Sequence, residues 1–389
     1  MLERAVLIVM DSLGVGDAPD AADYGDVGSD TLGHVAAAVG GLSLPNLQAA
    51  GLGNLHPVEG VPPADRPTMA YGKLAEASAG KDSTTGHWEL AGVMTHDPHA
   101  TFTVTGFPDE LVAELSERTG RGYLGNHAAS GTVIIEELGQ QHVDTGNPIL
   151  YTSADSVLQI AAHTDVVPLE ELYRICTIAR EIADEYKIGR VIARPFEGER
   201  GSFHRTYDRR DYAMAPPAPT MLDKASDNGL EVVGVGKIED LFQGRGLTEA
   251  IHTEGDADGM TRTAAALDRV ERGIIMTNLV DLDMRYGHRE NANGYAKGLA
   301  VIDDHLPEVT SRITANDLLI LAADHGNDPT DGSTDHTREC VPLLVMGWSA
   351  AGVDLGLRDQ YSDVAATICE GFGLPMPERG VSFFGEVMS

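Results

Sequence analysis

The sequence predicts an α/β protein: a doubly wound, mainly parallel sheet carrying a smaller inserted α+β domain. Three observations lead there. The apolar runs Ala5–Met10, Gly273–Val280 and Asp317–Ala323 do not alternate, the pattern of strands covered on both faces of a parallel sheet. Helical periodicity falls between such runs, which is the βαβ rhythm. From about His99 to Pro219 the texture changes, and then the doubly wound pattern returns. At 389 residues the chain is too long for one small core. We expect a core of residues 1–98 and 217–389, interrupted by an inserted domain, 99–216.

The first strand, Ala5–Met10, ends at Asp11-Ser12. Ligands gather beyond the carboxyl ends of such strands, which makes Asp11 a candidate site residue. Gly14-Val15-Gly16 begins like a dinucleotide loop, but Pro19 stands where the third glycine belongs, so a Rossmann fingerprint is not expected. Ser29-Asp30 can cap a helix with Leu32, Val35, Ala36 and Val39 on one face. Residues 41–80 lead through a strand, Ala70–Leu74, into Gly80-Lys81-Asp82-Ser83-Thr84-Thr85-Gly86-His87-Trp88-Glu89. Glycines at both ends suit a strand-to-helix turn. A helix starting there aims backbone N–H groups at an anion. The plainer reading is a polar surface loop with an N-cap serine.

In the insertion, Asp109–Arg118 and Gly131–Leu138 read as helices and Ile149–Thr152 as a strand. Pro168 starts a helix with Leu172, Ile175, Ala179 and Ile182 at helical spacing. Val191-Ile192-Ala193 is a strand followed by Arg194-Pro195, then an Arg-rich loop with Arg205, Arg209 and Arg210. Ala215–Pro219 closes the insertion as a stiff linker.

The core resumes with a strand, Glu231–Gly236, that leads to Lys237. Gly273–Val280 delivers Asp281 and Asp283, and Asp317–Ala323 delivers Asp324-His325. A helix over Tyr295–Ile313 stands between them. A strand, Val341–Gly347, follows Asp335-His336, and Ser362 caps a last helix through Phe372. Glu254–Gly259 looks like part of an EF-hand loop, but the twelfth position is Ala265, so a solvated acidic turn is expected.

Composition narrows the partners. A net charge of −32 argues against nucleic acid and anionic membranes, while leaving room for a small phosphorylated substrate held by a few Lys and Arg. Cys176, Cys340 and Cys369 form no C-x-x-C pair and read as core thiols in a reducing, cytoplasmic setting. The first apolar run is too short for a signal segment, and no window approaches a membrane span.

Acidic and imidazole groups follow four strand positions: Asp11; Asp283 with His288; Asp324 with His325; and His336. A lone loop histidine is more often solvated than a ligand. Strands of one parallel sheet, however, bring such groups to one crevice. Mixed Asp/His ligation suits Zn²⁺ or Mn²⁺ better than Ca²⁺. Six groups exceed one tetrahedral site, and a pair of ions about 4 Å apart would use them all.

Asp11-Ser12, Lys81–Trp88, Asp283-x-x-x-x-His288, Ala323-Asp324-His325-Gly326-Asn327-Asp328-Pro329 and Thr334-Asp335-His336-Thr337 together resemble the phosphopentomutase family of the alkaline phosphatase superfamily. The match covers essentially the whole chain, including Thr152-Ser153-Ala154-Asp155-Ser156 in the insertion. The resemblance implies an alkaline phosphatase-like core, the metal-binding catalytic domain, and an inserted cap. It implies two Mn²⁺, one held by Asp11, Asp324 and His325, the other by Asp283, His288 and His336. A hydroxyl nucleophile would bridge them. The family typically has threonine directly after Lys-Asp; here Ser83 stands there, with Thr84 and Thr85 as adjacent alternatives.

The activity implied is an intramolecular phosphotransfer in nucleoside and pentose phosphate metabolism. It interconverts α-D-ribose 1-phosphate and D-ribose 5-phosphate, and the 2-deoxy sugars, through a phosphoenzyme and a sugar bisphosphate. Glucose 1,6-bisphosphate or ribose 1,5-bisphosphate would prime it. Arg194 and Arg205 would anchor the distal phosphate, Asp155 and Ser156 the sugar hydroxyls, and Lys237 would close the pocket. Arg209 and Arg210 read as a solvated pair. The cap would exclude water and move about Pro216–Pro219. A cytoplasmic monomer acting on small pentose phosphates is expected. The rival readings are a phosphatase or phosphodiesterase of the same superfamily, the metal-dependent phosphoglycerate mutase branch, and a metal-binding protein without catalysis.

Overall fold

The computed structural model describes residues 2–96, 100–153 and 156–388. The chain divides into two compact units, Met1–Asp97 with Pro216–Ser389, and Pro98–Ala215. The first segment supplies β1 (Arg4–Met10) and β2 (Ala70–Leu74). The inserted unit supplies β3 (Leu124–Ala128), β4 (Ile149–Thr152), β5 (Val157–His163), β6 (Arg190–Glu197), β7 (His204–Arg205) and β8 (Arg210–Ala213). The last segment supplies β9 (Glu231–Val235), β10 (Glu249–Ile251), β11 (Gly273–Leu279), β12 (Asp317–Ala322), β13 (Val341–Met346) and β14 (Asp354–Arg358).

The first unit is built on an eight-stranded sheet in the order β10-β9-β11-β1-β12-β13-β2-β14. Neighbours from β10 through β12 are parallel. β13 runs antiparallel to both β12 and β2, and β2 is parallel to β14. Every residue of β11 and β12 is buried, as is β1 from Ala5 onward. Their Val, Ile and Leu side chains fill both faces, which explains the unbroken apolar runs. Helix starts follow capping chemistry. Asp30 accepts from the Gly33 amide to open Thr31–Val39, and Asn291 accepts from the Gly294 amide to open Ala292–Thr310, three residues before the expected start.

The inserted unit has a mixed sheet, β3-β4-β5-β6-β7 with β8 also on β6. Its residues alternate between two cores. Leu150, Leu158 and Ile160 pack with the helices Asp109–Thr119 and Leu169–Glu185. Ile149, Tyr151, Ala161 and Phe196 pack with the helix Gly131–Thr145. That alternation is the pleat of a sheet covered on both sides.

Several expectations are corrected. The helix at Gly131 does not stop at Leu138, because Gly139 accommodates the Phe203 ring, 2.7 Å from where a Cβ would lie. β6 runs on through Arg194-Pro195 instead of ending before them. Ser362 is not the cap of the helix Ser362–Phe372: Tyr361 holds that position, and no side chain caps it. Glu254–Gly259 is not a solvated turn, since Asp256 is buried and opens the helix Asp256–Leu267. Its backbone amide donates to Asp281 Oδ2 at 3.1 Å, and the Asp281 amide donates to Asp256 Oδ1 at 3.0 Å. The three cysteines are buried and free. Among the described residues no helix is long and apolar enough to cross a membrane.

One ion pair ties the edge of β1 to β12. Arg4 donates to Asp317 through Nε at 2.9 Å and Nη2 at 2.5 Å, and Thr314 donates to the same carboxylate through N and Oγ1. Burial would raise the Asp317 pKa, but the Arg4 and Thr314 hydrogen bonds overcome it and hold the value below the ordinary one. A depressed carboxyl pKa contributes stability above the unfolded-state value and loses it as pH falls through the folded value. Asp317→Ala is expected to cost about 3 kcal/mol at pH 7, because Arg4 loses its partner. Thermal midpoints of wild type and variant should converge as pH drops below about 4. An unchanged gap at pH 3 would refute this account.

Candidate active site

The carboxyl edge of the large sheet collects the polar groups. β1 ends at Asp11, and β12 ends just before Asp324 and His325. β11 leads into a wide helical turn, Leu282–Tyr286, carrying Asp283, and then a tight turn, Gly287–Arg289, carrying His288. His336 precedes its strand, yet it reaches the same edge because β13 runs in the opposite sense. Lys237, after β9, ends at this edge too, at the start of the helix Ile238–Phe242.

The hydroxyl loop is a strand-to-helix turn. Asp82 caps the helix Ser83–Leu90, accepting from the Thr85 amide at 3.1 Å and from Thr85 Oγ1 at 2.7 Å. That engages the Thr85 hydroxyl. Ser83 Oγ instead lies 3.1 Å from His325 Nε2. Gly86 permits this approach: a Cβ there would sit 2.2 Å from the Asp324 carbonyl oxygen. At the far end of the helix the buried Glu89 carboxylate accepts from the backbone amides of Ala77, Ser78 and Tyr361. Arg338, which no motif singles out, donates to the Ser78 and Gly80 carbonyls and to Glu76 Oε2 at 2.6 Å. It pins the loop that leads into the turn.

Two groups of donor atoms lie within 4.8 Å of one another: Asp11, Asp324 and His325; and Asp283, His325 and His336. His325 therefore belongs to both, rather than to the first alone. His288 joins the second, its Nε2 lying 3.2 Å from Asp283 Oδ2 and 3.2 Å from His336 Nε2. All three imidazoles turn Nδ1 to a backbone carbonyl: His288 to Thr334, His325 to Gly326 and His336 to Lys81. A proton donated there leaves each Nε2 lone pair facing the cluster, the arrangement of metal-ligating histidines. Asn327 Nδ2 donates to Asp283 Oδ1 at 2.9 Å, and the Ser12 amide donates to Asp324 Oδ1 at 3.1 Å. Ser12 adopts a left-handed φ of 75°, a strained conformation secured by Tyr295, whose hydroxyl donates to the Ser12 carbonyl at 2.9 Å.

The residues fit divalent ions. Asp11 Oδ1 and Asp324 Oδ2 are buried without hydrogen-bond partners among the described residues. Burial, with the Asp324 and Asp283 charges beside it, pushes Asp11 well above the carboxylate range. Burial also opposes the ionised form of Asp324, but His325 and His87 beside it hold it at about 2. Burial would likewise raise Asp283, and its hydrogen bonds to His288 and His336 lower it instead. The Asp283 bond raises His288 to about 9. A proton thus takes the place that a cation would fill.

The proposed sugar contacts divide. Asp155 lies outside the described residues. The Ser156 hydroxyl donates to the Ala100 carbonyl and accepts from the Gly189 amide, both within its own unit. Arg194, on β6, donates to Gln159 Oε1 at 3.1 Å. Arg205 is on β7. The charges of both act on Tyr151, whose buried hydroxyl has no hydrogen-bond partner among the described residues and whose pKa burial raises. Tyr151 read only as a strand residue in the sequence. Arg209 is paired with Asp211 at the surface.

The profile of the Metalloenzyme superfamily matches residues 3–376. A phosphopentomutase from Anaeromyxobacter dehalogenans (strain 2CP-1 / ATCC BAA-258) is 55% identical over 388 residues, covering 100% of both chains. The chain belongs to the phosphopentomutase family. A phosphopentomutase from Caldanaerobacter subterraneus subsp. tengcongensis is 54% identical, covering 100% of this chain and 98% of that one. A solved phosphoglycerate mutase from Leishmania mexicana is 12% identical, with a TM-score of 0.50 over 98% of this chain and 97% of that one, a likeness of fold alone. As a member of the phosphopentomutase family the protein is an isomerase that moves phosphate within a pentose phosphate, and it is metal-dependent.

Metal affinity should rise with pH, because a bound ion displaces the proton that His288 holds below about 9. Thermal-shift titration with Mn²⁺ should show up to about tenfold tighter binding per pH unit between pH 6.5 and 8.5. Asn327→Ala should weaken binding by about 10- to 100-fold at either pH. Equal affinity across that range would rule out the proton competition.

Proposed function

We propose that this enzyme interconverts α-D-ribose 1-phosphate and D-ribose 5-phosphate, and the corresponding 2-deoxyribose phosphates, with Ser83 as the phosphate carrier. The carrying observation is the Ser83 hydroxyl 3.1 Å from Nε2 of His325, the residue common to both donor groups. Thr85 is occupied by the Asp82 cap.

Asp11, Asp324 and His325 would hold one ion, and Asp283, His288 and His336, with His325 at the junction, the other; we take both as Mn²⁺. Bound there, the ions supply Lewis acidity that lowers a hydroxyl pKa and neutralises charge during phosphoryl transfer. Starting as a phosphoserine, residue 83 gives its phosphoryl group to the free 5-hydroxyl of ribose 1-phosphate. The Ser83 oxygen then takes the phosphoryl group from C1 of the resulting bisphosphate, leaving ribose 5-phosphate. The amides opening the helix Ser83–Leu90 favour negative charge at that oxygen. A sugar bisphosphate such as glucose 1,6-bisphosphate or ribose 1,5-bisphosphate would prime the cycle. We assign Arg194 and Arg205 to the phosphate that is not reacting, since a guanidinium fork suits bidentate contact, and Lys237 to the same substrate. The substrates are small pentose phosphates, and the proposed setting is a cytoplasmic monomer in nucleoside catabolism.

Mass spectrometry of protein incubated with Mn²⁺ and glucose 1,6-bisphosphate should place one phosphate on Ser83. Ser83→Ala should remove that phosphate and lower ribose 5-phosphate formation by at least about 10³-fold. Release of free phosphate without ribose 5-phosphate would mark a hydrolase instead.

A further inference from the structure

His87 lies four residues after Ser83 on the same helix and is sealed from solvent. Its Nδ1 is 2.8 Å from the Ser83 carbonyl oxygen and 3.0 Å from Asp324 Oδ2. Its Nε2 is 3.2 Å from Asn278 Nδ2, which also donates to Asp11 Oδ2 at 2.8 Å. Asp11 fixes the orientation of the Asn278 amide, because turned over it would press its oxygen against a carboxylate. An NH₂ group facing Nε2 makes that nitrogen an acceptor, and the ring proton then sits on Nδ1.

That proton points at the Ser83 carbonyl. The helix already gives this carbonyl a partner, the amide four residues on. The side-chain bond is therefore surplus to helix formation. It ties the backbone of the residue proposed as phosphate carrier to a ring that lies 3.0 Å from Asp324 Oδ2 and that Asn278 links to the Asp11 carboxylate.

We propose that His87 is a positioning residue, holding the Ser83 backbone in register with Asp11 and Asp324 so that the hydroxyl meets both donor groups. This rests on Ser83 as the carrier. Asparagine at 87 keeps an N–H donor where Nδ1 lies, and glutamine moves it to where Nε2 lies. The two variants are comparable in polarity, so a difference between them reports the position of the donor rather than general damage to the core.

In Mn²⁺-loaded, bisphosphate-primed enzyme, His87→Gln should lower kcat by about 10- to 100-fold with KM little changed, and His87→Asn should restore most of the loss. Mn²⁺ titration followed by thermal shift, without substrate, should show weaker binding in His87→Gln than in His87→Asn. Asn278→Ala, which frees the ring to change tautomer, should lower kcat in the same way. Combined with His87→Gln it should add little. Equal losses in the two His87 variants, a change confined to KM, or additive losses with Asn278→Ala would overturn the proposal. Phosphate found on a residue other than Ser83, with the His87 pattern intact, would instead refute the carrier assignment.

Discussion

Three buried carboxylates share one cluster, and ionising all of them there calls for a cation. Asp11 shows the strain most plainly: buried and flanked by two other carboxylates, its ordinary charge is suppressed. A buried ion costs several kcal/mol unless it is compensated. The surroundings compensate only in part, through Asn278, Asn327 and the Ser12 amide, and two carboxylate oxygens stay without partners. The fold therefore maintains a deficit of positive charge at one edge of its sheet. His288 relieves part of that deficit by holding a proton, which a bound ion would displace.

Maintaining such a deficit requires a stiff frame, and the frame is visible. The segment from His336 to Glu339 carries much of it. His336 faces Asp283 while its Nδ1 meets the Lys81 carbonyl at 2.9 Å. Two residues on, Arg338 grips the Ser78 and Gly80 carbonyls and stacks over the Tyr24 ring at 4.6 Å. Glu339 accepts from Thr31 and Thr337, close under Gly14 and Gly326. One short stretch thus fixes a metal-ligand candidate, the approach to Ser83 and the turn after β1. A buried guanidinium is tolerable because carboxylates and carbonyls surround it.

The sequence showed which groups would meet, because unbroken apolar strands can only deliver their following residues to one edge. It did not show the sense of β13, since an apolar run looks the same in either direction; His336 needed that reversal to arrive. β5 escaped notice because its apolar run follows the polar Ser153–Ser156 stretch without a turn glycine or proline between them. Ser83 was singled out by its place directly after Lys81-Asp82, and the structure adds that the Asp82 cap engages Thr85. Arg338, Asn278, Tyr151 and the engaged Ser156 hydroxyl were not legible, because each is defined by partners distant in sequence. Asp256 misled for a related reason: an acidic turn reads as solvated, and its burial follows from the exchange with Asp281.

Serine at position 83, proposed above as the phosphate carrier, sharpens what the frame must do. A threonine has a β-branch that restricts χ1 by itself. Serine lacks that restriction, so its hydroxyl explores more rotamers at little cost. If the oxygen is to stay at the junction of the two donor groups, the backbone beneath it must be fixed more firmly. Asp82 fixes the start of the helix from one side and Glu89 anchors its far end. Between them the His87 ring locks the Ser83 carbonyl to the carboxylates that the hydroxyl serves. The restriction that a β-methyl group would supply is left, in the proposed carrier, to the residues that hold its backbone.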